Sequence, residues 1–481
     1  FSFGSLWGNW LFPRNLTMPE LGDVIEELGF GKAQLLQSFF GGGVWAAEGA
    51  EILLIGSVTR ALEQEWHLSG TQKGGVVFFV YLGVYFGTLL SGPLADRLGR
   101  RLPIQLSFCF CGVFSVMSGL AQDFTSLCVI RFFVGMAFGV GIPAWNSLSV
   151  EFLPAKWRMF VNGLSFFYWT FGEMYAILLL HLNDPSLKHL EWRSLMMLGS
   201  IPSFILFFIS LCFLHESPVY LALNGKKEEA HSVLDWMRRH NGKPDVKLDF
   251  DVKESNKVSG EEQMKSVFCK KYLCTTLVLS YSCFALNFVY YGGLYAFPQI
   301  FADMETLSST PTVSILFGAV CELPGTVAAM VIGTYCPRKL MLWLASFGCA
   351  VSLVLFGWGG TLPVDERTDS IDSMMHSAFL SMKTLAMFTF LVLYVYSSEV
   401  YPTVVRSTGI GFCIASGRIG AMTSPLVYEK FYEATGNFSA FFFFTGLIIF
   451  LSGLSACALP ETFGQKLQDT ADDLEEKRLL E

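Results

Sequence analysis

Twelve apolar runs, each long enough to cross a lipid bilayer, constrain this chain more than any other feature. They fall near 34–59, 74–93, 102–121, 125–149, 159–182, 195–214, 272–300, 312–334, 339–358, 376–397, 404–428 and 438–459. A hydrocarbon core about 30 Å thick takes about 20 helical residues. Inside it every backbone N–H and C=O must find a partner without water, which helices of this length provide. Composition agrees: 15% of the 481 residues are charged, against about 25% in soluble domains. The predicted fold class is all-α and polytopic, with twelve transmembrane helices.

The runs are unevenly spaced in one place. Glu216–Lys271, between the sixth and seventh, is polar and charged. This divides the chain into an N-terminal segment (1–33), a six-helix bundle (34–215), a cytoplasmic loop (216–271), a second six-helix bundle (272–459) and an acidic tail (460–481). Within the loop, Ser217–Asn241 interleaves Tyr220, Leu221, Ala230, Val233, Leu234, Trp236 and Met237 with charge, the pattern of short helices lying on a membrane face. Asp251–Glu262 reads as a solvated linker. The chain begins with Phe rather than Met, so a missing or processed start is expected, and Phe1–Glu27 lacks the apolar core of a secretory signal.

An internal repeat makes the two bundles pseudo-symmetric. Glu151-Phe-Leu-Pro154 with Arg158 recurs as Glu399-Val-Tyr-Pro402 with Arg406, and His215-Glu216-Ser217 as Pro460-Glu461-Thr462; the offsets are 248 and 245 residues. Each glutamate ends a predicted helix, so these acids and arginines are expected to pair across the cytoplasmic face. Between the second and third runs lies Gly92-Pro-Leu-Ala-Asp-Arg-Leu-Gly-Arg-Arg101. Its Asp96, Arg97, Arg100 and Arg101 cannot lie in hydrocarbon, so it is a tight polar turn, with Gly92 and Gly99 allowing the bend. The second-half counterpart, Gly333–Lys339, keeps only the closing basic pair and predicts a weaker latch, unless Glu399 and Arg406 do its work. With both termini cytoplasmic, the loops on that side hold 19 Lys or Arg against six opposite. Without the long central loop the margin narrows to eight against six, still in the cytoplasmic sense. Asn437-Phe-Ser439 then lies outside, as a weak glycosylation sequon.

Seven ionisable residues interrupt the runs. Glu48 and Glu51 lie in the first, spaced with Trp45 on one helix face; Arg131 is in the fourth, Glu173 in the fifth near Trp169, Glu322 in the eighth before Pro324-Gly325, Lys383 in the tenth and Arg418 in the eleventh. A charge at the bilayer centre costs about 2.5–3.5 kcal/mol on insertion scales and normally faces a cavity or a partner. Two carboxylates on one face suit proton uptake or a cationic solute, or else a basic partner such as Arg131. Four acids against three bases announce neither an anion nor a cation. Tyr290, Tyr291 and Tyr295, with Phe167 and Tyr168, offer rings for stacking, although packing is the commoner role in a chain this aromatic. Gly135 and Gly139 form a small-residue stripe for close helix contact.

Other chemistries find little footing. Twelve cysteines lack the paired spacing and histidines of a zinc site and read as free thiols. No nucleotide loop or nucleophile motif argues for an enzyme, and neither a cofactor nor a nucleic-acid partner is implied.

The Gly92–Arg101 turn resembles the signature loop of the major facilitator superfamily. Glu27-Leu-Gly-Phe-Gly-Lys-Ala-Gln34, Trp45-Ala-Ala-Glu-Gly-Ala-Glu51, Glu151–Pro154, Glu322-Leu-Pro-Gly325, Glu399–Thr403 and Gly417-Arg-Ile-Gly-Ala421 are similar to the synaptic-vesicle-2-related branch, near the organic cation and anion transporters. Sugar porters are the nearest rival, but His215-Glu-Ser-Pro-Val219 departs from their pattern and the first span is acidic. The resemblance implies a secondary-active carrier of a small organic, charged solute, with protons as a candidate coupling ion in symport, in a plasma or vesicle membrane. The in-span charges Glu48, Glu51, Arg131, Glu173, Glu322, Lys383 and Arg418, with Trp45, are the candidate substrate- or proton-binding residues, and Arg131 resembles the family's helix-4 arginine. The resemblance implies that Asp96, Arg97, Arg100 and Arg101 latch the halves, and the repeat adds Glu151, Arg158, Glu216, Glu399, Arg406 and Glu461 as candidate gating residues. A transporter-shaped scaffold or receptor subunit is the alternative of another class.

Overall fold

A computed structural model of the chain describes residues 21–250, 260–304, 310–333, 335–363, 366–401 and 403–463. Most of the N-terminal segment, linker residues 251–259, Pro402 and the tail beyond 463 lie outside the described residues. The helices are α1 (Leu21–Leu28), α2 (Lys32–Trp66), α3 (Gly70–Leu98), α4 (Arg101–Gly119), α5 (Phe124–Phe152), α6 (Arg158–Asn183), α7 (Trp192–Gly199) and α8 (Ile201–Phe213). Then follow α9 (Pro218–Leu223), α10 (Lys227–His240), α11 (Gly260–Val267), α12 (Leu273–Asp303), α13 (Pro311–Ile332), α14 (Arg338–Thr361), α15 (Asp369–Val400), α16 (Thr403–Thr435) and α17 (Ser439–Ser455). Twelve segments are long and apolar enough to span a bilayer, α7 and α8 together forming the sixth. The chain is a multi-pass integral membrane protein. Several helices overrun the apolar runs by a turn or more, because polar helix ends continue into the headgroup layer.

Packing repeats between the halves. α2 lies on α6 as α12 lies on α16, α3 on α5 as α13 on α15, and α4 on α5 as α14 on α15. Three main seams join the first six spans to the last six, α2 with α12, α3 with α16, and α6 with α13, and α6 also touches α15. The close crossing of α3 and α5 depends on glycine. A Cβ on Gly135 would lie 1.8 Å from the Val80 carbonyl oxygen, and one on Gly83 1.9 Å from that of Phe132.

We call the end bearing Gly92–Arg101 the inner end. There α1 buries Leu21, Val24, Ile25 and Leu28, a one-sided stripe that the sequence reading passed over. α1 and α10 pack on each other and α10 on α2, so this cap belongs to the first half. At the outer end Asn437 is committed to structure. Its Oδ1 accepts from the Ser439 N–H at 3.0 Å and its Nδ2 donates to the Gly360 carbonyl at 2.8 Å. The amide that glycosylation requires is therefore engaged, against the expectation from the sequon.

Candidate functional site

All seven in-span charges are buried, with relative exposures from 0% for Glu48, Arg131 and Glu322 to 6% for Arg418. They form three groups. In the first, Arg131 Nη1 donates to Glu51 Oε2 at 2.6 Å, and its Nη2 points at the Met196 sulfur. Every member of this group belongs to the first half. The second group crosses a seam: Arg418 on α16 lies 3.6 Å from Glu48 on α2 and donates to the Tyr291 hydroxyl at 3.2 Å. Glu48 and Glu51, expected to share a face and a partner, instead turn to different arginines. Trp45 packs edge-on against Trp169, with ring centroids 6.4 Å apart.

The third group crosses the α6–α13 seam. Lys383 on α15 lies 3.2 Å from Glu173 Oε2 and contacts Glu322 Oε1. The Tyr290 hydroxyl sits between the two carboxyl groups, 2.8 Å from Glu173 Oε1 and 2.7 Å from Glu322 Oε1. Trp169 Nε1 donates to the Tyr290 oxygen at 2.8 Å, and Thr170 Oγ1 donates to Glu322 Oε2 at 3.0 Å. Sequence reasoning noted Tyr290 only as a ring. Its hydroxyl as a hub is invisible until helices far apart in the chain are brought together.

The expected gating residues gather at the inner end, paired differently from expectation. Glu151 meets Arg100 at 3.1 Å rather than Arg158, which is exposed. Glu216 accepts from the backbone N–H groups of Arg100 (2.8 Å) and Arg101 (3.1 Å). Gly99 makes this approach possible: its φ is +88°, and a Cβ there would lie 2.2 Å from Glu216 Oε2. In the second half Glu399 meets Arg338 at 2.9 Å, and Glu461 accepts from the Arg338 N–H at 2.9 Å. Arg406 Nε donates to the Tyr401 carbonyl. Asp96 is exposed and lies 3.5 Å from Arg100 in its own turn, and Arg97 is exposed. Glu151 and Glu399 ion-pair, and Glu216 and Glu461 accept backbone N–H groups, all within their own half.

Residues 45–474 match the family model described as "Sugar (and other) transporter". The chain belongs to this family. The transporter is 27% identical over 474 residues to the synaptic vesicle 2-related protein of Xenopus laevis, covering 93% of this chain and 82% of that one. It is 26% identical over 452 residues to the niacin transporter NiaP of Acinetobacter baylyi, covering 93% and 99%. Among solved structures, the inward-open xylose transporter XylE of E. coli superposes with a TM-score of 0.71 at 16% identity, covering 92% and 98%. The fold is that of the major facilitator superfamily, and such proteins are transporters rather than enzymes.

At the outer end of the transporter the halves are tied by charge. Arg60 on α2 meets Asp303 on α12 at 2.6 Å, and Lys73 on α3 lies 3.0 Å from Glu63 and 3.5 Å from Glu429 on α16. The Tyr295 hydroxyl donates to Glu429 at 2.5 Å. Arg60, Glu63, Lys73, Asp303 and Glu429 line a cleft of about 600 Å³ together with Arg367. Sequence reasoning counted Arg60 and Lys73 only as loop charges and passed over Glu429.

Proposed function

We propose that this transporter is a secondary-active carrier of a small organic, charged solute working by alternating access, with Glu48, Arg418, Glu173, Glu322 and Lys383 along the solute or coupling-ion path. One observation carries the reading: two of the three buried charge groups straddle the seams between the halves. Any rocking of one half on the other must break and remake Glu48–Arg418 and Glu173–Lys383–Glu322. Buried charge is costly in a membrane and is a mark of transport paths. Sites at the interface of repeats near the bilayer midplane are the pattern of such carriers. Glu51–Arg131 lies within one half and acts as a brace, since stranding one member of a buried pair costs about 3–5 kcal/mol.

The test is uptake of labelled organic cations, organic anions and sugars by the purified chain in liposomes. Uptake by wild type that Glu48→Gln abolishes supports the reading. Uptake unchanged by Glu48→Gln would remove Glu48 from the path. The scaffold reading draws on the centre being filled by the protein's own rings, with Trp169, Tyr290 and Tyr291 packed against one another. Absence of uptake for all three solute classes would favour it.

A further inference from the structure

Among the described residues, the middles of the spans hold four carboxyl groups and three cationic side chains. Glu48 is answered by Arg418 and Glu51 by Arg131, while Glu173 and Glu322 share Lys383. Fully ionised, the set would carry one uncompensated negative charge in a dry interior. Such a charge is so costly to bury that the group takes up a proton instead.

Hydrogen-bond capacity locates that proton independently. A phenol has one hydrogen to donate and two lone pairs to accept with. The Tyr290 oxygen accepts from Trp169 Nε1 at 2.8 Å, yet it lies within 2.8 Å of one carboxyl oxygen and 2.7 Å of another. Its single hydrogen serves only one of them. The other contact is a hydrogen bond only if that carboxyl group is itself the donor. With one proton on the pair, both carboxyl contacts of the tyrosine oxygen are satisfied; Trp169 Nε1 is shared with Glu173 Oε1 at 3.0 Å, and Lys383 Nζ, 3.5 Å from the phenol, is nearer to the two carboxyl groups.

We infer that Glu173 and Glu322 jointly hold one exchangeable proton across the α6–α13 seam, and that a monovalent organic cation displaces it, so that the carrier exchanges one for the other without net charge movement. This rests on the carrier reading above. The step balances: the carboxylic O–H breaks, its proton leaves to water on the open side, and the resulting carboxylate is neutralised by the entering cation. Charge in the low-dielectric centre is the same before and after. An anion would add a second uncompensated charge, and a neutral solute would leave the first when the proton departs.

Other ionisable groups around the pair are accounted for. α2 contributes Glu48 and α16 Arg418, already opposed; α15 contributes Lys383. α3 contributes Tyr81, α12 Tyr290 and Tyr291, and α13 Cys321. None supplies a second cation for the spare carboxylate.

Infrared spectroscopy of the purified full chain tests the proton without transport. At neutral pH a carboxylic-acid C=O band that shifts in D2O is expected, lost in Glu173→Gln and in Glu322→Gln, and displaced but retained in Tyr290→Phe. Absence of the band in wild type overturns the inference whatever the protein transports. In liposomes with the membrane potential clamped, an outward proton gradient should accumulate a member of a panel of tetraethylammonium, choline and 1-methyl-4-phenylpyridinium, roughly tenfold per pH unit. In Glu322→Gln that pH-driven accumulation should be lost. Uptake of anions or sugars but of no cation in the panel overturns the exchange. Uptake of nothing, with the band present, overturns the carrier reading and leaves the shared proton standing.

Discussion

Arg100 and Arg338 make the same three bonds at the inner ends of the two halves. Each guanidinium meets the glutamate that ends a neighbouring span, Glu151 or Glu399. Each reaches back to a carbonyl five residues earlier, that of Ala95 or Gly333. Each backbone N–H donates to a glutamate after the last span of its half, Glu216 or Glu461. An aromatic ring faces both cations, Tyr220 at 4.9 Å and Phe463 at 5.8 Å. The second latch is therefore not the weaker one that the loss of an aspartate suggests, because Asp96 is exposed and contributes little to the first. Glu151→Gln and Glu399→Gln should cost similar stability, about 1.5–3 kcal/mol each for a charge-assisted bond. Thermal unfolding of the two variants in detergent checks this, and a penalty confined to Glu151→Gln would contradict it.

Replacing Gly83 or Gly135 should be far more damaging than replacing a helical glycine with open space around it, such as Gly92 in α3. The atoms a new Cβ would strike are backbone oxygens of the facing helix, which cannot swing aside. Gly135→Val should exceed the ~1–3 kcal/mol usual for overpacking and reduce the monodisperse fraction on size-exclusion chromatography. Gly92→Ala, with nothing within 4 Å of its new carbon, should behave as wild type.

The spans and the halved plan were legible because hydrocarbon thickness imposes a length that composition records directly. Partners were not. Glu48 and Glu51 are three residues apart, about 60° around a helix, and that angle sends one to Arg418 across a seam and the other to Arg131 within the first half. The Ser200 break between α7 and α8 was missed because its flanks are apolar on both sides. The inner acids gather at one end, but the nearest cation in space, Arg100 or Arg338, is not the nearest in the repeat.

Asn241 was unmarked in the sequence, yet it tethers the inner cap to α2. Its Oδ1 accepts from the Ala33 N–H at 3.0 Å, and its Nδ2 donates to Gln34 Oε1 at 2.8 Å and to the carbonyls of Leu28 and Gly29. It thus caps a helix that lacks a capping side chain of its own at Gly31. Asn241→Ala should cost about 0.5–2 kcal/mol and raise hydrogen exchange in α1 and α10 while sparing the spans. Asn241→Asp, which keeps the acceptor and loses the donor, should fall between.

His215 makes the same junction sensitive to acid. Its ring stacks on Trp236 at 4.1 Å, and its backbone is held by Gln37, which donates to the His215 carbonyl at 2.7 Å. Burial pushes the imidazole pKa below its usual 6.5, and the positive charge of Arg101 and the neighbouring His240 add to this, against a hydrogen bond with Phe213 that raises it. The packed ring is therefore neutral where a released one takes up a proton. A depressed value of this kind stabilises the packed state fully above pH 6.5, and the contribution is lost as pH falls from there through the folded value. Limited proteolysis or hydrogen exchange over 227–241 should show α10 loosening between pH 7.5 and 5.5. His215→Phe, which keeps a ring on Trp236 but cannot be protonated, should abolish that dependence; if loosening persists unchanged in the variant, another group, with His240 the first candidate, governs it.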